Sequence, residues 1–313
     1  MNSIMPIDYG QQYSTLKSVT VNELLNMELP ERELIMAPWL TKQGLAMIYA
    51  PRGVGKTHMS LGIACAVSAG EDFLGWEVDK PRGVLFIDGE MPANLLKERL
   101  AGIINSMDNK PIDELLTILT PDFQELGIPD LASIEGQQKI NQFIKPNTDL
   151  IIIDNISTLV KSGKENEAES WIPVQNWAIK QRSEGRTVLF IHHSGKNGQQ
   201  RGTSRREDAL DTVINLKRPN DYSPELGACF EVHFEKARGL LGDDVAPFRT
   251  QLKQDDNDVF FWETKLLDDS NYEKVIEMLK DGLSQADVSK EIGLNKSTIS
   301  RYAKKARESG RLE

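Results

Sequence analysis

The stretch that decides the fold is Ala50-Pro51-Arg52-Gly53-Val54-Gly55-Lys56-Thr57, which lies between an apolar run and a stretch of helical character. Residues 45–49 have the pattern of a buried strand, and residues 58–68 that of the helix that follows. A glycine-rich loop at such a junction directs its backbone N–H groups, and the positive end of the helix dipole, toward phosphate oxygens. The pattern therefore predicts a triphosphate-binding loop, although Ala50 replaces its usual first glycine and a chance match is the alternative.

Individual residues of this loop suit the predicted role. Gly53 and Gly55 let the backbone approach the phosphates closely, and Lys56 can reach the β and γ oxygens as a point charge. The Thr57 hydroxyl is suited to ligate Mg²⁺. We therefore expect ATP and Mg²⁺ as cofactors, bound by the whole loop and by His58 at the start of the helix.

The composition is that of an ordinary soluble protein, with 313 residues, 39% hydrophobic and 27% charged. No apolar run approaches the roughly 20 residues of a membrane span, and the N-terminus lacks a secretory pattern, so we expect no membrane partner. Cys65 and Cys229 lie far apart in apolar segments, so the sequence predicts no disulfide framework. This fits a protein of the reducing cytoplasm. The net charge of −10 argues against a generally basic surface for nucleic acid but leaves room for a local basic module.

Apolar strand-like runs alternate with helical stretches, which is typical of an α/β domain with a mostly parallel sheet. The expected parallel strands are residues 45–49, 83–87, 115–119, 150–153, 187–191 and 212–216. Three later runs predict an antiparallel extension, at residues 230–234, 248–252 and 259–262. The expected helices between strands are residues 94–107, 134–144 and 169–183, and Thr20 is placed to cap a short helix over residues 21–27.

From residue 271 onward the pattern is that of a compact helical unit. Ser284 is placed to cap a helix over residues 285–291, Gly293 to form a tight turn, and Asn295 to cap a longer helix to about residue 307. This pattern predicts a helix-turn-helix whose interior residues are Val288, Ile292, Leu294, Ile299 and Tyr302. Its expected DNA-binding residues are Lys296, Ser297, Thr298, Arg301, Lys304 and Lys305.

The charge of the last helix supports DNA as its partner. Residues 294–311 contain six basic residues and one acidic residue, so this segment carries +5 in a chain of −10. Such a concentration of positive charge favours binding to the backbone of duplex DNA. A small protein-docking or regulatory module is the alternative.

Two strand ends supply carboxylates. Residues 150–153 are apolar and end in Asp154, at the sheet edge where Mg²⁺ and its waters are expected; an Asp that only caps the next turn is the alternative. The strand over residues 83–87 is followed by Asp88 and Glu90. Glu90 is the candidate base for the water that attacks the γ-phosphate. Asp88 is its competitor, and a solvated loop acid is the third interpretation.

A third strand end carries His192 and His193. A histidine there can hydrogen-bond the γ-phosphate and report its loss to the loop that follows. Strand alternation directs the two rings to opposite sides, and we favour His193 for the nucleotide side. The loop of residues 194–206 is a candidate DNA-contacting segment, with an ordinary surface loop as the alternative, and its cations are Lys196, Arg201, Arg205 and Arg206.

Residues 231–239 have the pattern of a strand that ends in two cations, Lys236 and Arg238. Because they are two residues apart, they point the same way. They could reach the nucleotide of a neighbouring subunit as fingers that stabilise transition-state charge. A pair of surface cations is the alternative.

These motifs resemble the RecA/DnaB-type hexameric ATPases, and most closely the RepA-like replicative helicases of plasmids and phages. The resemblance covers about residues 38–262 and rests on five segments: the phosphate loop, FIDGEMP (86–92), LIIID (150–154), FIHHSGK (190–196) and RGTS (201–204). KARG (236–239) is similar to the K-x-R-x-G finger of DnaB-type helicases. Some RepA-like proteins place the finger arginine earlier, where this chain has Asp211, so Arg205, Arg206 and Arg238 all remain candidates.

The resemblance implies a RecA-like P-loop NTPase fold, α/β with a mostly parallel central sheet. The small all-α helix-turn-helix domain lies outside the resemblance and is expected from its own helix and capping pattern. The expected organisation is an N-terminal arm (1–37), the ATPase domain (38–264), a linker (265–270) and the helix-turn-helix domain (271–313). The resemblance further implies a homo-oligomeric ring, expected to be a hexamer, with single-stranded DNA in its centre. Duplex DNA is expected at the helix-turn-helix because of its basic charge. The expected activity is that of an ATP-hydrolysing helicase or translocase in replication of a plasmid, phage or other mobile element. The alternative is an ATP-switched DNA-binding regulator or recombination accessory ATPase that does not unwind DNA.

Overall fold

The structure is a computed structural model that describes residues 18–28, 32–161, 168–195, 208–257 and 259–312. The chain divides into two units, Met1–Arg32 and Glu33–Glu313. In the first unit, helix α1 (Val21–Leu25) begins at the expected cap: the Thr20 hydroxyl accepts from the Glu23 N–H, and the Glu23 carboxylate accepts from the Thr20 N–H. This reciprocal capping box stabilises the start of a very short helix.

The described part of the second unit contains eleven strands. Their bounds are β1 (Leu34–Met36), β2 (Leu40–Thr41), β3 (Leu45–Ala50), β4 (Gly83–Asp88), β5 (Leu116–Leu119), β6 (Thr148–Asp154), β7 (Thr187–His193), β8 (Thr212–Lys217), β9 (Cys229–Ala237), β10 (Phe248–Gln254) and β11 (Phe260–Leu266). β1 and β2 form a small antiparallel pair, and the others form a nine-stranded sheet of order β11-β10-β9-β8-β3-β7-β6-β4-β5. The six strands from β8 to β5 are parallel, and β9, β10 and β11 extend the sheet in antiparallel fashion.

Eight α-helices accompany this sheet in the described part of the second unit. They are α2 (Lys56–Ala69), α3 (Ala93–Asn105), α4 (Ile134–Asn141), α5 (Ile156–Leu159), α6 (Ala168–Ser183), α7 (Leu267–Lys280), α8 (Gln285–Ile292) and α9 (Lys296–Glu308). Helices cover both faces of the parallel strands, because the apolar runs of these strands bury side chains on either side. No described helix is both long enough and apolar enough to cross a membrane.

The sequence-based fold class is confirmed, since the sheet is mostly parallel and every expected strand and interstrand helix is present. The strands extend one or two residues beyond their apolar runs, as at Asp88, Asp154 and His193, because backbone pairing continues into the polar residues at the strand ends. The pair β1–β2 was not expected. Residues 265–270 are also not the predicted linker: Leu266 ends β11 and Leu267 begins α7, so the strand passes directly into the helix.

The three C-terminal helices pack around a small apolar core of their own. Val288, Ile299 and Tyr302 are buried as expected, and Ile292 and Leu294 pack against them. The expected caps are also present. The Ser284 hydroxyl accepts from the Asp287 N–H at 3.2 Å, and the Asn295 side chain accepts from the Thr298 N–H at 2.8 Å. Gly293 ends α8 in the left-handed region, with φ of 74°, which turns the chain into α9.

Candidate nucleotide-binding site

The predicted site residues converge at one edge of the sheet. Because β3, β4, β6 and β7 run parallel, their C-terminal ends lie side by side, and the residues that follow them surround a cavity of about 650 Å³. The predicted residues that line it are Arg52, Gly53, Gly55, Lys56, Thr57, His58, Glu90, Asp154 and His193. Residues that are far apart in the sequence thus share one concave site.

The phosphate-binding loop has the backbone geometry that its glycines predict. Gly53 and Gly55 have φ of 74° and 120°, values that side-chain-bearing residues rarely adopt. A Cβ on Gly55 would also lie 2.9 Å from the Phe230 ring. Ala50, in contrast, is the last residue of β3, where the backbone is extended and no positive φ is required. This explains why alanine replaces the first glycine of the pattern.

Lys56 lies inside the loop rather than on its surface. Its ammonium group donates to the Ala50 carbonyl at 2.9 Å and to the Pro51 carbonyl at 2.8 Å. Burial lowers the pKa of Lys56 to about 8, although the charges of Asp154 and Glu90 oppose the shift. The loop therefore holds the Lys56 ammonium group against its own backbone carbonyls, at the cavity that Lys56 lines.

Asp154 ends β6 in the floor of the cavity. Its carboxylate accepts a 2.7 Å hydrogen bond from Ser60 on α2, and burial raises its pKa to about 6. Thr57 lines the same cavity, so a hydroxyl and a carboxylate are available to a metal ion. This pair fits Mg²⁺, which usually takes only one or two protein ligands and completes its shell with water and substrate phosphates. Among the described residues there is no cluster of three or more side chains that could hold a metal by itself.

The two carboxylates after β4 have different surroundings. Asp88 is buried, accepts from the N–H groups of Glu90 and Met91, and has a pKa that burial raises to about 6. It therefore shapes the turn that follows the strand. Glu90 is exposed and lines the cavity. The geometry favours Glu90 over Asp88 as the group that can reach a water beside the phosphates.

The two histidines also separate as expected from strand alternation. His193 lines the cavity, and its Nε2 lies 3.3 Å from the side-chain nitrogen of Asn155. His192 is fully buried, lies beside Tyr49 of β3 in the sheet register and is not part of the cavity lining. Of the two histidines, His193 is the one placed to contact a bound nucleotide within its own subunit.

The cations predicted to act as fingers, Lys236 and Arg238, lie at the end of the strands opposite to the cavity. Because β9 is antiparallel to β8, Lys236 and Arg238 lie near the N-terminal end of β8, away from the phosphate loop. Arg238 donates to the Asp208 carbonyl at 3.1 Å and lies 3.7 Å from the Asp211 carboxylate. Asp211 in turn accepts from the Leu45 N–H and has a structural role at the start of β3. Neither Lys236 nor Arg238 lines the cavity of its own subunit.

Five lining residues were not found by sequence reasoning: Arg99, Asn155, Tyr222, Gly227 and Ala228. Arg99 comes from α3 and Tyr222 from the loop after β8, and no short motif marks them. Asn155 directly follows the predicted Asp154, so its position at a strand end was an available signal. Arg99 also affects His58. Burial, and to a lesser extent the nearby Arg99 guanidinium, lowers the pKa of His58 to about 4. His58 is therefore neutral near pH 7.

The predicted DNA-contacting residues fall into two groups. Lys196, Arg201, Arg205 and Arg206 lie outside the described residues. On α9, Thr298 is half-buried, and five predicted positions are exposed: Lys296, Ser297, Arg301, Lys304 and Lys305. The face of α9 that turns away from the small core is thus strongly basic.

The sheet and the cavity are those of a RecA-like P-loop α/β fold. A family model described as an AAA domain matches residues 11–199, which is more than half of the chain, and the chain belongs to this family. Among solved structures, the fold is similar to that of a KaiC-like protein from the hyperthermophilic archaeon Pyrococcus horikoshii OT3. The TM-score is 0.50 at 12% identity, and the match covers 73% of this chain and 93% of that one, so the likeness concerns the fold alone. The comparison with curated proteins gives no match.

Proposed function

We propose that the protein is an ATP-hydrolysing DNA helicase or translocase that works as a homo-oligomeric ring, of the RepA-like type that serves replication of a plasmid, phage or other mobile element. The observation that carries the proposal is the convergence of Lys56, Thr57, Glu90, Asp154 and His193 on one cavity at the sheet edge. Lys56 and the loop amides bind the phosphates, Thr57 and Asp154 hold Mg²⁺, and Glu90 accepts the proton of the attacking water. Mg²⁺ supplies charge neutralisation on the phosphate oxygens.

The position of the finger cations supports an oligomer. Lys236 and Arg238 are at the edge of the sheet opposite to the phosphate loop, so they can contact a nucleotide only in a neighbouring subunit. A ring in which each nucleotide lies between two subunits satisfies this geometry, and a hexamer is the size that the resemblance implies. In such a ring the segment after His193, with Lys196 and Arg201, is connected in sequence to the γ-phosphate contact and would transmit its loss to single-stranded DNA.

The decisive experiment measures ATP hydrolysis and strand displacement on the same preparation. We expect hydrolysis to increase several-fold on addition of single-stranded DNA, and a fork-shaped duplex to be separated in the presence of ATP and Mg²⁺. Mass determination with an ATP analogue and single-stranded DNA should give a ring. A ring that hydrolyses ATP on DNA and never displaces the complementary strand would contradict the helicase part of the proposal.

The C-terminal helices favour a second candidate function, an ATP-switched DNA-binding regulator or recombination accessory ATPase. The observation is the basic exposed face of α9, which is the second helix of a helix-turn-helix in this interpretation. Duplex binding that depends on base sequence, together with a dimer rather than a ring, would favour this candidate. Duplex binding without sequence preference would leave the motor as the better explanation.

A further inference from the structure

Asn155 follows Asp154, lines the same cavity and has a buried amide that the roles given above do not explain. Asn155 is 1% exposed, and its Oδ1 atom is buried with no hydrogen-bond partner in the part of the chain that the structure describes. The other end of the amide lies 3.3 Å from His193 Nε2. A buried polar atom without a partner is costly, and it commonly marks a position that a ligand or water completes.

We propose that Asn155 is a catalytic residue whose Oδ1 accepts a hydrogen bond from the water that attacks the γ-phosphate. Its amide nitrogen holds the ring of His193, so one side chain orients both the water and the histidine. The inference rests on the proposed ATP hydrolysis and assigns a second contact to the water, whose proton goes to Glu90. The orienting contact acts on the reacting water and not on the bound phosphates, so its loss lowers turnover and leaves nucleotide affinity unchanged.

The test compares Asn155→Ala with Ser157→Ala. Ser157 also has a buried side-chain oxygen with no partner among the described residues, but it does not line the cavity, so it is the matched control. We expect Asn155→Ala to lower kcat on the order of 100-fold, with the Kd of a non-hydrolysable ATP analogue within about threefold of wild type. Ser157→Ala should retain kcat.

Two results would overturn the assignment. One is normal kcat in Asn155→Ala, and the other is a loss of analogue binding as large as the loss of kcat, which would mean that the amide only supports the fold of the site. A folded wild-type protein that hydrolyses no ATP would instead overturn the proposed function. Thermal unfolding of each variant separates these outcomes from failure to fold.

A separate observation concerns residues 218–222, here called the 218–222 turn, which joins the cavity to the C-terminal helices. Arg218 donates from Nη2 to the Gly53 carbonyl in the phosphate loop at 3.2 Å. Its guanidinium lies 4.5 Å from the centre of the Tyr222 ring, and Tyr222 lines the cavity. One end of the turn is therefore in contact with the loop that binds phosphate.

The middle of the same turn contacts two of the C-terminal helices, α7 and α8. The Asp221 carboxylate accepts from Lys274 on α7 at 2.6 Å and from Arg249 on β10 at 2.8 Å. Burial opposes its ionisation, but the hydrogen bonds and charges of these two cations outweigh burial and lower the pKa of Asp221 to about 2. Asn220 donates to the carbonyl of Ile292, at the end of α8, at 3.5 Å.

A backbone hydrogen bond and a buried proline connect the two ends of the turn. The Tyr222 N–H donates to the Pro219 carbonyl at 3.1 Å, and Pro219 is buried and has a fixed φ. A triphosphate in the loop attracts the Arg218 guanidinium, which competes with its contacts to Gly53 and Tyr222. A displacement of Arg218 would reach Lys274 and Ile292 through the contacts of Asp221 and Asn220.

We infer that the 218–222 turn couples nucleotide occupancy to the position of α7, α8 and α9, so that the nucleotide state controls the basic face of α9. This inference rests on nucleotide binding in the proposed site. The coupling is reciprocal by thermodynamic necessity: a ligand of α9 must change nucleotide affinity by the same factor as the nucleotide changes affinity at α9.

Hydrogen–deuterium exchange on the full chain tests the coupling without any DNA. We expect a non-hydrolysable ATP analogue with Mg²⁺ to change amide exchange in α7–α9 by about fivefold or more in the wild type. The change should fall below about twofold in Lys274→Met and in Arg218→Gln, which break the two ends of the connection. Glu273→Gln is the matched control, because Glu273 precedes Lys274 on α7 but pairs with Arg311, which belongs to the helical unit itself. It should retain the full change.

Calorimetry on the same samples separates the possible failures. Analogue binding with unchanged exchange in α7–α9 would overturn the coupling and leave the proposed function intact. Undiminished coupling in Lys274→Met and Arg218→Gln would overturn the assigned route. Absence of analogue binding would overturn the proposed function, and the coupling with it.

Discussion

Ser60 Oγ donates a 2.7 Å hydrogen bond to Asp154 Oδ2, which ties the helix after the phosphate loop to the end of β6. Both groups are buried, and burial raises the pKa of Asp154 from 3.8 to about 6. A carboxyl whose folded-state pKa is raised favours folding only when protonated. Its ionisation therefore lowers stability as the pH rises from about 4 to above 6.

Asp154→Asn should consequently stabilise the fold while it removes function. At pH 7 we expect the free energy of unfolding to rise by about 2 to 3 kcal/mol, and the gain to shrink toward pH 5, because the wild-type carboxyl is then protonated in the folded state. Mg²⁺-dependent hydrolysis should be lost, since an amide is a poor ligand for this ion. Urea unfolding at the two pH values measures the first effect, and a gain that does not depend on pH would contradict the assigned pKa.

Glu90→Gln should leave ATP bound but uncleaved. A glutamine retains the size of the side chain and cannot accept the proton of the attacking water, so we expect kcat to fall by about 100-fold or more with Kd nearly unchanged. Single-turnover hydrolysis and analogue binding measure the two quantities. Unchanged turnover in Glu90→Gln would shift the role of the base to Asp88.

Asp88→Ala is the variant to compare with Glu90→Gln. Because its carboxylate accepts from the N–H groups of Glu90 and Met91, Asp88→Ala leaves the buried Met91 N–H and the half-buried Glu90 N–H without this acceptor. Below about pH 4 the carboxyl is protonated in both the folded and the unfolded chain, so its raised pKa no longer affects stability, and there we expect a loss of stability of about 1 to 3 kcal/mol. Asp88→Ala should therefore lower the unfolding temperature, whereas Glu90→Gln should unfold at the wild-type temperature.

The sequence predicted the sheet and its site for one physical reason. Parallel strands buried on both faces are nearly continuous apolar runs, and their C-terminal ends converge, so the strand pattern alone was enough to place Asp154, Glu90 and His193 together. Arg99 and Tyr222 could not be placed in this way, since a helix side chain and a loop side chain reach the cavity through tertiary packing that leaves no local pattern. The pair β1–β2 was missed because strands of three and two residues are too short to show a period.

Nucleotide affinity should decrease as the pH rises through about 8. Lys56 binds phosphate in its charged form, and its pKa of about 8 means that it loses its proton there in the absence of phosphate. Above that pH the affinity should fall by up to about tenfold per pH unit, because binding must restore the proton. Calorimetry with a non-hydrolysable analogue between about pH 7 and about pH 9.5 measures the dependence. Lys56→Met should bind weakly without this dependence, and a flat wild-type profile would contradict the prediction.

The basic face of α9 makes a prediction that separates DNA binding from protein docking. Lys296 and Lys304 are exposed on α9, and Lys290 is exposed on α8. If the α9 pair contacts phosphates of duplex DNA, each change to Gln should reduce the slope of log affinity against log salt concentration by about 1.

The measurement is a salt titration of a labelled duplex against the full chain, by anisotropy. Lys290→Gln makes the same change of charge on the neighbouring helix and should leave the slope as in the wild type. An equal loss of slope in all three variants would mean that the duplex responds to net charge and not to α9. Absence of duplex binding at low salt would favour the protein-docking alternative, because phosphate contacts strengthen as salt is removed.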